Sequence, residues 1–254
     1  MSGRVIVVTG ASGGLAQSLV RQLSETDSLV LLGRDKKKLA QLYAPSDHIC
    51  LKECDITSEK AIVAILSEIE EAFGRIDVLI NNAGYGSFKD YDDYTQDEVK
   101  AMFDVNSIAV MTFSRLVGEK MARRGSGHIV NIASMAGLMA TSKASVYCAS
   151  KFAVIGFSNS LRLELADKGV YVTTVNPGPI RTSFFDKADP TGGYLERVGR
   201  FVLSPDAVAK KIVKVLGKPK RELNMPYSLA LAHKFYTLFP KTSDILSRKV
   251  FNLK

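Results

Sequence analysis

Apolar and polar positions along the chain follow two rhythms. Short runs rich in Val, Ile and Leu, with no alternation, recur from Arg4–Thr9 onward, and between them apolar residues are spaced three and four apart. Unbroken runs of this length fit strands buried on both faces, while the three-and-four spacing fits helices with one apolar face. The pattern predicts strands over residues 4–9, 28–33, 48–53, 76–81, 127–133, 170–176 and 219–224. It predicts helices over 14–25, 35–43, 58–72, 95–123, 147–167 and 205–216. Strand and helix in strict alternation with short connections is the pattern of a parallel sheet, because each crossover must bring the chain back to start its next strand at the same end. The expected fold class is α/β, a doubly wound parallel sheet of about seven strands with helices on both faces. No repeat, low-complexity tract or linker interrupts it, so residues 1–254 read as one domain with a compositionally distinct extension at about 225–254.

Candidate chemistry falls at strand ends. The first strand runs into Gly10-Ala11-Ser12-Gly13-Gly14-Leu15-Ala16 and a helical pattern. Glycines let a backbone approach a pyrophosphate with no Cβ in the way, and free N–H groups at a helix start favour its charge; read alone, the segment is equally a tight strand-to-helix turn. Ser134 follows the apolar run 127–133, and Tyr147 precedes Lys151 by four positions. Residues i and i+4 share a helix face, so a phenol and an ammonium can enter one pocket, where a cation would bring the phenol, with its ordinary pKa of about 10, toward useful acidity. The alternative is an exposed Tyr above an exposed Lys. The second strand ends in Gly33-Arg34. A carboxylate there would bind the ribose 2′-hydroxyl of NAD, whereas a guanidinium pairs with a 2′-phosphate, so Arg34 favours NADP(H). Asp35 reads as a helix N-cap before three lysines, and the competing reading is that Arg34 and these lysines form a solvated helix start.

Thr9-Gly10-x-x-x-Gly14-x-Ala16, Asn81-Asn82-Ala83-Gly84, Ser134, Tyr147-x-x-x-Lys151 and Pro177-Gly178 stand in the order of the short-chain dehydrogenase/reductase family, which the chain resembles over about residues 3–220. Ala16 departs from the pattern, replacing the usual third glycine, and Gly13 stands where NADP-using relatives often carry a basic residue. The resemblance implies a Rossmann-type fold and cofactor contacts from Gly10, Ser12, Gly13, Gly14 and Leu15 in the turn, and from Arg34. It implies that Asp55, with Ile56, binds the adenine amino group and that Asn82, Ala83 and Gly84 line the adenosine ribose side, although Asn82 also suits a plain turn. It further implies that Pro177, Gly178, Ile180 and Thr182 close over the nicotinamide. Asn106, Ser134, Tyr147 and Lys151 are the catalytic residues it implies. Tyr147 would be general acid, Ser134 would hold the substrate oxygen, and Lys151 would lower the Tyr147 pKa and bind the nicotinamide ribose. Asn106, at a kink in its helix, would keep a water relay. The implied activity is reduction of a ketone or aldehyde; the alternative is a non-catalytic NADP(H)-binding sensor or scaffold. Members pair through long helices, so a homodimer or homotetramer is expected.

Tyr85, Phe88, Met135, Met139, Phe184, Phe185 and Tyr194 fall in segments expected around the substrate, which would make it an apolar carbonyl compound, unless these residues are ordinary loop packing. The 254 residues are 46% hydrophobic, enough for one large core. No run is long and apolar enough for a membrane span, and a strand pattern from Val5 leaves no room for a secretory leader. Cys50, Cys54 and Cys148 lack disulfide-framework or zinc-ligand spacing and read as reduced thiols of a cytoplasmic protein; no metal is expected. Residues 205–254 hold eleven Lys or Arg against three Asp or Glu, which accounts for the whole net charge of +8. The tail is also apolar from Pro226 through Phe239 and again at Ile245, Leu246, Val250, Phe251 and Leu253. It covers the pocket or packs between subunits, lies on an anionic membrane or an acidic carrier protein, or binds nucleic acid; with no nucleic-acid module in the chain, that last reading ranks lowest and nucleic acid is not an expected partner.

Overall fold

The computed structural model describes residues 3–189 and 192–251. Leu253 of the apolar tail, and Pro190 and Thr191 of the substrate segments, lie outside the described residues. Seven parallel strands, β1 (Val5–Thr9), β2 (Ser28–Gly33), β3 (Ile49–Glu53), β4 (Val78–Asn81), β5 (Gly127–Ile132), β6 (Val170–Pro177) and β7 (Glu222–Met225), form one sheet in the order β3-β2-β1-β4-β5-β6-β7. Every residue of β1 and β4 is buried, which is why these runs show no alternation. The chain winds outward from β1 to β3, returns, and winds the other way from β4. Ligands of such sheets bind in the crevice this reversal leaves beyond the carboxyl ends of β1 and β4.

On one sheet face lie α3 (Glu59–Phe73), α5 (Ala109–Arg124) and α6 (Ser145–Glu164). Their core holds Ile62, Leu66, Phe113, Val117 and Leu161 against Val7, Leu79 and Ile129. The other face carries α1 (Gly14–Val20), α2 (Lys36–Leu42) and α9 (Pro205–Val215), which bury Leu19, Leu39, Val208 and Ile212 against Ile6, Val8 and Ile80. Buried ties fix the end of the sheet away from the crevice. Arg4 pairs with the nearly inaccessible Asp27 at 2.6 Å. Nδ1 of His128 accepts from Gly217 N at 3.0 Å, so Nε2 carries the proton and donates to Thr173 Oγ1 at 2.8 Å; burial pushes this imidazole down to about 4.

Three expectations shift. The helix over 95–123 is two helices, α4 (Gln96–Phe103) and α5, joined by a π turn over Asp104–Ile108. The last strand starts at Glu222, after a left-handed Gly217 and Pro219, which has no N–H to donate. The tail forms two helices with no predicted counterpart, α10 (Tyr227–Leu238) and α11 (Pro240–Phe251), and two short helices, α7 (Phe184–Ala188) and α8 (Gly193–Arg197), interrupt the segment after β6.

Candidate active site

A cavity of about 1310 Å³ runs along the carboxyl edge of the sheet from Arg34 and Lys38 to Tyr147 and on to the tail. At its centre, Gly10 has φ +64°, and a Cβ there would stand 2.6 Å from Ala83 Cα, so only glycine lets the first turn meet the loop after β4. Thr9 and Asn82 lock that meeting. Thr9 Oγ1 accepts from the N–H groups of Asn82 at 3.0 Å and Ala83 at 3.1 Å, and Asn82 Nδ2 donates to the carbonyls of Thr9 and Gly10. Behind the turn, the buried Tyr43 hydroxyl donates to Ala11 O at 2.6 Å. A Cβ on Gly14 would strike Thr182 at 2.9 Å, so the segment after β6 lies directly over the turn. The result is a cradle of bare backbone lined by Gly10, Ser12, Gly13, Gly14, Leu15, Asn82, Ala83, Gly84, Pro177, Gly178, Ile180 and Thr182. Backbone without Cβ atoms over this stretch is what the close approach of a dinucleotide's pyrophosphate requires.

Arg34 and Lys38 are exposed at one end of this cradle. Asp35 turns away from it as the cap of α2, accepting from Lys38 N at 3.0 Å. Asp55 is exposed at the Arg34 end, between the cavity-lining Cys54 and Ile56, with its Oδ1 accepting from Thr57 N at 2.9 Å and Thr57 Oγ1 at 2.7 Å. Those bonds, with Arg34 nearby, hold its carboxyl below the usual range. Ile56 lines the cavity where expected, with Cys54 and Thr57 on either side of Asp55 and Ile56 lining it too.

At the other end, Ser134 sits two residues beyond β5 in extended backbone and accepts from Ala136 N at 3.1 Å, capping the short turn Met135–Gly137. Gly137 lets this turn press on α6, where a Cβ would stand 2.7 Å from Lys151 O. Tyr147 and Lys151, one turn apart on α6, are both buried. Burial is the larger influence on Tyr147 and holds its hydroxyl well above the ordinary phenol range, while a hydrogen bond with Ser134 pulls the other way. The phenol is therefore a protonated donor at neutral pH. Lys151 Nζ donates to Ile132 O at 3.0 Å and lies 5.9 Å from the Tyr147 ring centre; burial pushes its ammonium down to about 8. The expected effect of Lys151 on Tyr147 is not what dominates this geometry, because both groups are desolvated together.

Asn106 lies one layer behind the cavity. From inside the π turn its Oδ1 accepts from Tyr85 N at 2.9 Å, and its Nδ2 donates to Tyr85 O at 2.8 Å and Ser150 Oγ at 3.1 Å. It thereby holds the loop after β4 to α6. A Cβ on Gly84 would stand 3.2 Å from Asn106 Oδ1 and 3.3 Å from Lys151 Nζ, so this glycine leaves room for both.

Beyond Tyr147 the cavity is aromatic. Tyr85, Phe88, Met135, Met139, Phe184, Phe185 and Tyr194 all line it, with the Phe88 and Phe184 rings 6.0 and 5.8 Å from Tyr147 and Phe185 stacked on Tyr194 at 5.3 Å. Leu229 and Tyr236 of α10 and Asp244 of α11 close this end. Of the readings of the tail, covering the pocket is the one this contact supports. Lys38, Tyr43 and these three tail residues went unassigned from sequence. For Lys38 the only signal was its place in the lysine run that follows Arg34.

The profile described as short chain dehydrogenase matches residues 4–192. An uncharacterized oxidoreductase of Staphylococcus aureus (strain USA300) is 31% identical over 87% of this chain and 94% of its own length. Another uncharacterized oxidoreductase, from Staphylococcus saprophyticus, is 33% identical over 85% of this chain and 91% of its own. Among solved structures, a short-chain dehydrogenase from Streptomyces avermitilis superimposes with a TM-score of 0.83 at 25% identity, covering 98% of this chain and 97% of that one. The chain belongs to the short-chain dehydrogenases, an oxidoreductase family that works on small molecules with a nicotinamide dinucleotide.

Proposed function

We propose that the protein is an NADP(H)-dependent carbonyl reductase acting on an apolar ketone or aldehyde. What carries this reading is the convergence of Ser134, Tyr147 and Lys151 at the junction of the backbone cradle and the aromatic end of one cavity. The nicotinamide, when bound, supplies the hydride. Arg34 and Lys38 hold the 2′-phosphate, and Gly10 to Leu15 with Thr182 hold the pyrophosphate. Ile180 offers its backbone to the carboxamide. Ser134 donates to the carbonyl oxygen as negative charge gathers on it, and the Tyr147 hydroxyl then gives that oxygen its proton. Lys151 holds the nicotinamide ribose and supports the phenolate left behind. Asn106 fixes the loop around Tyr85 and keeps the π turn open for a water that returns the proton.

Aromatic rings around Tyr147 exclude water and favour an apolar substrate. NADP pools in cells are held reduced, so the working direction is carbonyl to alcohol. The subunits pair through α5 and α6, where Ile108, just before α5, and Phe152, on α6, are 52% and 43% exposed. The test of cofactor choice is titration by nicotinamide fluorescence. NADPH binds more tightly than NADH, and Arg34→Glu weakens NADPH by roughly tenfold or more, the loss of a charge-assisted pair, while leaving NADH unchanged. Equal affinities in the parent protein would refute the assignment.

A further inference from the structure

Helix α10 has two faces with opposite duties. Leu229, His233 and Tyr236 point inward: Leu229 and Tyr236 line the cavity, and the His233 ring lies 3.2 Å from Leu138 O. On the opposite stripe, at spacings of three, four and one, stand Tyr227, Leu231, Lys234, Phe235 and Leu238. Tyr227, Leu231 and Leu238 are 82%, 58% and 71% exposed. Among the described residues, six of the thirteen exposed large apolar side chains fall within residues 227–245, so this is a patch and not scatter. Between Glu222 and Asp244 the chain carries no carboxylate, whereas Lys234 and Lys241 are both exposed.

We propose that the outward face of α10 is a docking surface for a membrane rich in anionic lipid headgroups. Apolar side chains with Lys234 among them, Lys241 just beyond on α11 and no carboxylate on α10 match the boundary between acyl chains and negative headgroups. A second copy fits less well, because self-pairing sets Lys234 and Lys241 against their own kind with no counter-charge. Since the inner face of the same helix closes the cavity, docking places the aromatic end of the cavity beside the bilayer, where an apolar carbonyl compound partitions. The surface stands independently of the reductase reading, because its occupancy is measured without turnover.

The test is co-sedimentation of the full chain with vesicles of phosphatidylcholine alone and of phosphatidylcholine mixed with phosphatidylglycerol, at low and at high salt. The protein is expected to pellet with the mixed vesicles only and to be released by salt, which shortens the reach of its charges to about 3 Å at 1 M. Leu231→Ser combined with Leu238→Ser is expected to lower partition roughly tenfold or more, from lost apolar burial. Lys234→Glu, which reverses a charge, should lower it by roughly tenfold. Unchanged circular dichroism and NADPH titration show that each variant is folded. No pelleting, equal pelleting with both vesicles, or pelleting indifferent to both variants overturns the proposal. So does a chain that ignores vesicles but changes oligomer size when Leu231 and Leu238 are replaced, since the face is then a subunit contact.

Discussion

Lys151 is where chemistry and stability pull apart. Its ammonium is buried with one carbonyl partner, Ile132 O, and its pKa is depressed from 10.5 to about 8. Between those values the unfolded chain binds the proton and the folded chain does not, so stability rises with pH across this window; below pH 8 the buried charge costs its full amount. Wild-type protein without cofactor is thus predicted to gain up to about 3 kcal/mol between pH 8 and 10.5 relative to Lys151→Met, from the conversion of about 1.4 kcal/mol per pKa unit. The rate of reduction should fall over the same range, and Lys151→Met should lose about a hundredfold or more of it. Urea unfolding and initial rates across pH check both; parallel stability curves for the two proteins would contradict the account. At this scale the four-residue spacing of Tyr147 and Lys151 was legible from helix geometry. The Asp55 side chain was not, because Asp55-Ile56-Thr57 reads the same whether the carboxylate faces a ligand or turns back on Thr57.

Among the elements, the π turn over Asp104–Ile108 does most to shape the site. An extra residue in one helical turn swings Asn106 inward, where it satisfies Tyr85 N–H, Tyr85 O and Ser150 Oγ together. Asn106→Ala strands these groups and is predicted to cost about 2 to 3 kcal/mol in urea unfolding. It should also raise KM for the carbonyl substrate, because the loop from Tyr85 to Phe88 loosens. Stability and KM both unchanged would remove Asn106 from its positioning role. Sequence pattern predicted one helix over 95–123, and the resemblance put Asn106 at a kink within it, yet a π turn and a plain bend leave the same periodicity. The tail helices escaped for a different reason. Helix α10 is apolar on both its inner and outer faces, so no single stripe marks it as a helix.

For the whole molecule, the sheet reversal sets a cofactor end and a substrate end in one cavity, and the tail covers only the second. The strand runs made the doubly wound sheet legible, since parallel strands buried on both faces announce themselves as unbroken apolar segments. Which loops meet above its edge depends on contacts over long sequence separations, such as Leu229 against Gly178, where a Cβ would stand 2.9 Å away. Truncation after Pro226 removes α10 and α11 but leaves all seven strands. NADPH affinity is predicted to hold while KM for an apolar aldehyde rises by roughly tenfold, the loss of an apolar wall; an unchanged KM would mean that the tail takes no part in the pocket.

The measurement that bears most directly on the central claim is NADPH oxidation with a panel of apolar ketones and aldehydes, for the parent protein and for Tyr147→Phe, beside fluorescence titration of NADPH. Matching NADPH affinity and a fall in turnover of about a thousandfold are predicted when the Tyr147 hydroxyl, and with it the proton donor, is removed. Tight NADPH binding by a parent protein that reduces nothing, or turnover that survives the loss of the Tyr147 hydroxyl, would contradict it.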